Sequence, residues 1–322
     1  MSETPLAAET LDIQILREMY REGAVNVAGI DPRVNATRIA HRLKVGRGRV
    51  AARLRAWDRS GFLRRYDVWL NPALFGWVGT GLNVRVVHPR EKAAVIGRLG
   101  LLDGVVSCIE YLGEWISLGL VVPDAALIER RIGLIRALAG VAEVDGPFPW
   151  HAYPPQRALT PLDVRIVRAL RARPRATLGE IADLVGISTR TMTRRYSELL
   201  DDVGVWFVPA FDFRAISRPV VSIGMQLRPG TSPEKVVRPV YARYPLTLEF
   251  HSPLVGPDLG ALHHWLFVLP PTAAHVEEVE QFVRSLEGVE ETEAYVLVRM
   301  HSFPTWFDQH LETLAPLSRA AR

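Results

Sequence analysis

The chain contains one sequence pattern twice, and this internal repeat constrains its fold more than any other feature. Residues 39–45 (IAHRLKV) and 181–187 (IADLVGI) carry apolar side chains at the same spacing. Near the end of each half, residues 138–143 (LAGVAE) match residues 286–291 (LEGVEE). The offset between matched positions drifts between 141 and 151 because of small insertions. Internal self-similarity of this kind predicts two halves that fold alike.

Prolines separate the two halves. Five of them fall between Pro147 and Pro161, and such a density cannot continue a helix or a central strand. Within each half the spacing of apolar residues changes from a helical pattern to one that mixes strands and helices. Four units are therefore predicted: three-helix units at residues 1–66 and 156–209, and mixed units at residues 67–155 and 210–322.

Strands and helices alternate in the mixed unit of each half. In the second copy, apolar residues alternate with polar or small ones over residues 221–227, as in a half-buried strand. Residues 236–244 and 276–286 carry apolar side chains at helical spacing. Residues 264–268 predict another strand, and residues 295–300 close the sheet. This order is that of a ferredoxin-like βαββαβ sandwich with its helices on one face.

The first copy repeats this order, although prolines around residues 148–153 place its last strand on a sheet edge. The predicted fold class is therefore α+β. It is a tandem repeat of a three-helix helix-turn-helix domain and a ferredoxin-like βαββαβ domain.

The three-helix units carry the signals of a helix-turn-helix. In the second copy Thr160 is placed to cap the first helix, and Thr177 and Glu180 have capping-box spacing for the next one. Gly186 then ends that helix, and Ser188 caps a third. A short helix, a glycine-containing turn and a polar, basic helix are how a recognition helix is presented to the major groove of DNA.

Basic and hydroxyl side chains are concentrated on the third helix of each unit. Between Arg33 and Arg65, eleven Arg or Lys residues occur with a single acid, Asp58, although the net charge of the whole chain is only +4. Guanidinium groups neutralise phosphates and pair with guanine, and hydroxyls reach phosphates and base edges. The predicted DNA-binding residues are Arg47, Arg49, Arg53, Arg55, Ser188, Thr189, Arg190, Thr193, Arg194 and Arg195. Of these, Arg47, Arg49, Thr189 and Arg190 are expected nearest the bases.

A family resemblance rests on the pattern Leu162-Asp163, Ile166, Leu170, Arg175, Leu178, Ile181-Ala182, Val185-Gly186-Ile187-Ser188, Thr191-Met192, Arg195, Leu199 and Gly204-Val205. It resembles the DNA-binding domain of Lrp/AsnC transcriptional regulators, and the following unit resembles their ligand-sensing domain. The resemblance implies a regulator that binds double-stranded DNA. It also implies that the fused halves form an internal pseudo-dimer, with its recognition helices about 34 Å apart. Further pairing of chains into a homo-oligomer is left open.

The same resemblance predicts a small-molecule effector site at a turn between strands. In the family this turn has a glycine followed by acidic and aromatic residues, and it helps to bind amino acids or related molecules. The matching positions here are Gly113, Glu114 and Trp115 in the first copy and Gly260 in the second. Glutamate replaces the usual aspartate in the first copy, and the second copy has no acid.

The rest of the composition favours a cytoplasmic protein. Cys108 is the only cysteine, so the chain cannot form an internal disulfide, and this favours a reducing compartment. No signal peptide and no run of about 18 apolar residues is present, so no membrane partner is expected. No metal-ligand spacing, phosphate-binding loop or nucleophile motif occurs, and we expect no metal and no cofactor.

Two alternative interpretations remain. Sirohaem decarboxylases resemble fused Lrp/AsnC-type halves that act on a tetrapyrrole, and His251, His263, His264 and His301 would suit such a pocket. A scaffold that has lost DNA binding is the other, and the basic segment argues against it. The regulator is preferred, so the chain is expected not to be an enzyme and to have no catalytic residue.

Overall fold

Most helices and strands of the first half of the chain have a counterpart in the second half. A computed structural model describes residues 10–21, 29–30, 36–150, 154–249 and 263–314. The first half contains α1 (Thr10–Met19), β1 (Tyr20–Arg21), β2 (Gly29–Ile30), α2 (Ala36–Leu43), α3 (Arg47–Ser60), β3 (Leu63–Leu70), β4 (Val78–Val86), α4 (Lys92–Leu99), β5 (Val105–Tyr111), β6 (Trp115–Val122), α5 (Leu127–Arg136) and β7 (Val141–Trp150). The second half contains α6 (Pro161–Ala172), α7 (Leu178–Val185), α8 (Thr189–Glu198), β8 (Val205–Phe211), β9 (Val220–Leu227), α9 (Pro233–Arg243), β10 (Thr247–Glu249), β11 (His263–Val268), α10 (Val276–Arg284), β12 (Val289–Ser302) and α11 (Thr305–Leu314).

Two ferredoxin-like units contribute four strands each to one sheet. Its order is β10-β11-β9-β12-β5-β6-β4-β7, with antiparallel neighbours. Alternate residues of each strand are buried under the helices: Val221 and Ile223 of β9 pack with Val236 of α9 and Val279 of α10. The sequence predicted strands with apolar residues at every second position, packed against helices that each carry one apolar face. The mixed helix-and-sheet fold with a ferredoxin-like sheet is confirmed.

The last strand of each unit differs in extent from the prediction. β7 begins at Val141, well before the expected residues 148–153, and it is the terminal strand of the described sheet. β12 runs over 14 residues instead of residues 295–300.

β12 joins the two sheets into one. Its first part, from Val289 to Leu297, pairs with β9 of its own half. Its second part, from Leu297 to Ser302, pairs with β5 of the other half after a change of register. His301 lies on this second part, and its Nε2 is 3.1 Å from Oε2 of Glu110 on β5. Backbone hydrogen bonds therefore cross directly from one half of the chain to the other.

A second connection between the halves lies next to the three-helix units. β3 and β8, which follow those units, pair with each other as an antiparallel ribbon. Leu63 is opposite Phe211, and Leu70 is opposite Val205. Equivalent strands of the two halves thus pair side by side in opposite directions, as they would around a local two-fold axis.

The final helix, α11, was not predicted. It belongs to the predicted unit 210–322 but packs on other units. Trp306 lies against Trp77, with ring centroids 4.9 Å apart, and Phe307 stacks on Trp69 at 5.5 Å. Nε of Arg171, on α6, donates to Asp308 at 2.8 Å. α11 therefore ties the first half to the second helix-turn-helix.

Truncation of a buried aromatic residue on α11 should destabilise the protein strongly. Trp306 is 2% exposed, so Trp306→Ala removes a large apolar contact and leaves a cavity. We expect a loss of about 3–5 kcal/mol in the free energy of unfolding, measured by urea denaturation of the full chain. Leu101→Ala, at a side chain that is 86% exposed, is the matched control and should change it by less than about 0.5 kcal/mol. Similar values for the two variants would mean that α11 does not hold the halves together.

Candidate nucleic-acid interface

The second helix-turn-helix consists of α6, α7 and α8, and its helix ends are where the sequence places them. Thr160 and Asp163 form a capping box at the start of α6, and Thr177 and Glu180 form another at the start of α7. Gly186 ends α7 in the left-handed conformation, with φ of +73°. These local hydrogen bonds satisfy N–H groups that helix ends leave unpaired.

α8 occupies the position of the recognition helix. Its N-cap is Ser188, whose Oγ accepts a hydrogen bond from the backbone N–H of Thr191. Met192 and Tyr196 are buried against the other helices. The opposite face is exposed, and it carries Ser188, Thr189, Arg190, Thr193 and Arg194.

Besides Ser188, two members of this exposed face have internal partners. Oγ1 of Thr193 donates to the carbonyl oxygen of Thr189 at 2.9 Å, and Arg194 pairs with Glu198 at 2.9 Å. The side chain of Arg194 is nevertheless 63% exposed. An exposed pair of this kind contributes little to stability, so the guanidinium can exchange its carboxylate for a phosphate.

Arg195 lies on the inner side of α8. Its side chain is 22% exposed, and its Nη1 is 3.7 Å from Asp163 and 3.3 Å from Glu198. The equivalent Arg53 on α3 makes two hydrogen bonds to Asp12 on α1, at 2.8 and 2.5 Å. In both copies this arginine therefore binds a carboxylate on the first helix, although the sequence predicted that it contacts DNA.

Arg157 completes the ion pairs around Asp163, a carboxylate with no exposed side-chain surface. Burial by itself raises the pKa of Asp163. Hydrogen bonds from Arg157 at 2.6 Å and from Thr160 outweigh this effect, and they hold the pKa below its usual range. Asp163 thus remains charged at neutral pH and anchors both Arg157 and Arg195.

The first helix-turn-helix has the same backbone plan with different chemistry. Lys44 takes the left-handed turn conformation, with φ of +54°, at the position that matches Gly186. Gly46 is the N-cap of α3 and supplies no side-chain hydrogen bond. Arg47, Arg49 and Arg55 are exposed on α3, as predicted for a basic surface.

The turn at which the sequence predicts an effector site connects β5 and β6 in the first copy. Gly113 has φ of +82°, which favours glycine, and it lies between β5 and β6. Glu114 is 42% exposed and lies 3.7 Å from Arg85, while Trp115 packs partly against the core. The carboxylate of this turn, Glu114, is therefore already in an ion pair with Arg85. Gly260, the predicted counterpart in the second copy, lies outside the described residues, as does His251.

A polar cluster on the sheet face opposite α4, α5, α9 and α10 was not predicted. Tyr111 of β5 and Tyr295 of β12 stack with ring centroids 4.7 Å apart. The hydroxyl of Tyr295 donates to Glu293 at 2.9 Å, and that of Tyr111 is hydrogen bonded with Ser117 and Ser222. Burial, together with nearby Glu293, raises the pKa of both tyrosines. Both phenols therefore keep their protons at neutral pH.

No helix in the described part of the chain is long and apolar enough to cross a membrane. Within the same ranges, no group of three or more His, Cys, Asp or Glu side chains is placed to hold a metal ion. Cys108 is buried, and this burial raises the pKa of its thiol.

Comparison with known proteins identifies the second helix-turn-helix. Residues 159–200 match the family model of the AsnC-type helix-turn-helix domain. No curated protein matches the sequence.

The whole chain is similar to a solved enzyme structure. The siroheme decarboxylase NirDL, in complex with an iron-uroporphyrin III analogue, matches with a TM-score of 0.50 and 13% identity. The match covers 95% of this chain and 100% of that one. At this identity the likeness establishes the fold that the two chains share.

Regulators match about half of the chain. Escherichia coli AsnC has a TM-score of 0.32 and 16% identity, over 48% of this chain and 100% of its own. The leucine response regulatory protein LrpA of Mycobacterium tuberculosis has a TM-score of 0.30 and 21% identity, over 43% and 90%.

The match to NirDL corrects one expectation. The sequence was interpreted as that of a protein that is not an enzyme, and this is not supported, because the structure matched over 95% of the chain is that of an enzyme. The architecture gives no ground for excluding catalysis.

The ion pairs at Asp163 should make the stability of the second helix-turn-helix depend on pH. Asp163→Asn leaves Arg157 and Arg195 without their buried carboxylate, and we expect a loss of about 3–5 kcal/mol in unfolding free energy at pH 7. The folded pKa is lowered, so the contribution of the carboxylate is full above its unfolded pKa of about 3.9 and is lost as pH falls through the folded value.

The measurement is urea denaturation of both proteins between pH 7 and pH 2. Wild type and Asp163→Asn should converge in stability at the acid end, because both side chains are then neutral. Asp183→Asn, at an exposed acid of α7, is the control and should follow the wild type within about 0.5 kcal/mol. A constant difference between wild type and Asp163→Asn at all pH values would contradict the assignment.

Proposed function

We propose that the chain is a sequence-specific DNA-binding regulator of the Lrp/AsnC type. The observation that carries this proposal is the exposed polar face of α8, set within the segment that matches the AsnC-type helix-turn-helix domain. A recognition helix of this kind enters the major groove with the residues of its N-terminal part nearest the bases. A protein that acts on chromosomal DNA works in the cytoplasm, which is the proposed location.

The residues of α8 divide into two proposed roles. Thr189 and Arg190, in the first turn, would lie nearest the base edges, where arginine pairs bidentately with guanine. Thr193 and Arg194, one turn later, would contact phosphates and hold the helix in register. Arg195 would act indirectly, because its pairing with Asp163 fixes α8 to α6.

An internal pseudo-dimer is the proposed arrangement of the two DNA-binding units. The β3–β8 ribbon and the shared strand β12 support it, because they link the halves by backbone hydrogen bonds. An amino acid or related molecule at the Gly113 turn is the proposed effector. There an ammonium group would compete with Arg85 for Glu114.

Loss of Arg190 should relax sequence preference. Selection from random double-stranded DNA at fixed salt should recover a motif with the wild-type chain. Arg190→Ala should lose the preference at one base position, at a cost of about 1–3 kcal/mol on the selected site. Arg238→Ala, at an exposed arginine of α9, removes the same charge away from the helix-turn-helix and should leave the motif unchanged. Recovery of no motif by the wild type would count against the proposed function.

Tetrapyrrole decarboxylation is the second candidate function. Its support is the fold shared with NirDL, together with Tyr111 and Tyr295, which lie side by side on the sheet face opposite α4, α5, α9 and α10. Loss of carbon dioxide leaves a carbanion that must be protonated. The hydroxyl of a protonated phenol can supply that proton.

For this candidate function, binding of the tetrapyrrole and its decarboxylation can be measured separately. Incubation with sirohaem should shift its Soret band and release carbon dioxide, detected as a mass loss of the tetrapyrrole. Tyr111→Phe and Tyr295→Phe keep the stacked rings but remove the hydroxyls, so they should slow the release of carbon dioxide without abolishing the spectral shift. An unshifted Soret band together with unchanged tetrapyrrole mass would remove this candidate.

A further inference from the structure

We propose that the two helix-turn-helix units divide the work on DNA: the second reads bases, and the first holds the phosphate backbone without reading sequence. The target site then has one specified half and one unspecified half. This inference rests on the proposed DNA-binding function and assigns a different DNA component to each unit.

The two recognition helices can be compared position by position. Lys44 and Gly186 take the same left-handed turn, and Gly46 and Ser188 are the N-caps of α3 and α8. All of these pairs are 142 residues apart, as are Arg53 and Arg195, which bind the first helix of their own unit. Side chains 142 residues apart therefore occupy equivalent places on the two helices.

A single insertion after α8 explains why the offset then changes. Residues Leu199–Val203 form a π-helical turn, and the N–H of Gly204 donates to the carbonyl oxygen of Leu199. Gly61, which ends α3, matches Gly204 at an offset of 143. One extra residue in a helix is what a π-turn accommodates. The exposed face of α8 lies before this insertion, so the offset of 142 applies to all of it.

Four of the five exposed α8 side chains have equivalents without hydrogen-bonding groups in the first unit, and the fifth, Thr189, matches Arg47. Gly46, Gly48 and Ala52 are exposed, and Ala51 is half-buried. On α8 these positions supply side-chain donors and acceptors, proposed above to reach base edges from Arg190 and phosphates from Thr193 and Arg194. On α8, Ser188 matches Gly46, Arg190 matches Gly48, Thr193 matches Ala51 and Arg194 matches Ala52.

Packing does not explain the glycines. A Cβ atom built on Gly46 or Gly48 would meet nothing within 4 Å. The protein could therefore hold larger residues there. The bare backbone leaves this face open to the close approach of another molecule.

Positive charge surrounds this bare surface. Arg47, Arg49 and Arg55 are exposed on α3, and they match Thr189, Thr191 and Ser197 on α8. Arginine beside bare backbone suits phosphate oxygens, which carry charge but no sequence information. The proposal therefore assigns Arg47 and Arg49 to phosphates, although the sequence predicts them nearest the bases. The ion pair of Arg53 with Asp12 keeps α3 fixed while these side chains bind.

The first test compares two single variants, one that removes a positive charge at the start of α3 and one that removes a positive charge at its end. Arg47→Ala should weaken binding equally on all sequences, and it should reduce the slope of log affinity against log salt concentration by about 0.9. Arg59→Ala removes the same charge in the last turn, about 18 Å along the helix axis, and should leave the slope unchanged. A change in the selected motif on Arg47→Ala would overturn the proposal.

The second test adds the missing side chains. Gly48→Arg, Ala51→Thr and Ala52→Arg, made together, give α3 three of the exposed groups of α8. Random-sequence selection should recover one specified half-site with the wild type and two with this variant. A cooperative thermal unfolding transition is the check that the variant is folded. Two specified half-sites with the wild type, or an unchanged motif with the folded variant, would overturn the division of roles. Failure of the wild type to bind DNA at any salt concentration would instead contradict the proposed function itself.

Discussion

Backbone hydrogen bonding along β12 holds the two halves of this protein in one structure. The strand pairs with β9 of its own half and then continues beside β5 of the other. A strand that is shared in this way cannot slip by one residue, because a slip would turn every side chain to the opposite face of the sheet. The relative position of the two ferredoxin-like units is therefore set by main-chain geometry and does not depend on a surface contact.

The two helix-turn-helix units depend on the same framework. Each continues into one strand of the β3–β8 ribbon, and side chains of both units, the ribbon and α11 belong to one hydrophobic core. Trp306 and Phe307 connect this core to residues before β4, and Arg171 connects it to α6. The two recognition helices are thus carried on a single packed body, which suits a binding surface that must match a fixed spacing.

The fold by itself does not decide what the protein does. A chain with this architecture is a decarboxylase, while a segment of the present chain matches a DNA-binding domain. The difference lies in particular sites, since unrelated functions share many folds. Here two sites are chemically distinct: the exposed hydroxyl and guanidinium groups of α8, and the stacked phenols of Tyr111 and Tyr295.

Short-range signals made much of the fold predictable from sequence. The caps at Thr160, Thr177 and Ser188 and the turn at Gly186 each depend on a few neighbouring residues, and all four are found where the sequence places them. The repeat and the alternation of apolar residues likewise determine two ferredoxin-like units, because burial on one face imposes a period of two on a strand.

Only the tertiary structure decided the roles of individual side chains. Arg190 and Arg195 are equally basic and lie on the same helix, yet one is exposed and the other binds Asp163 on α6. The extension of β12 and the packing of α11 also depend on partners in the other half of the chain. Local sequence determines where a helix or strand begins. Which of its side chains remain available to a ligand depends on what distant residues pack against it.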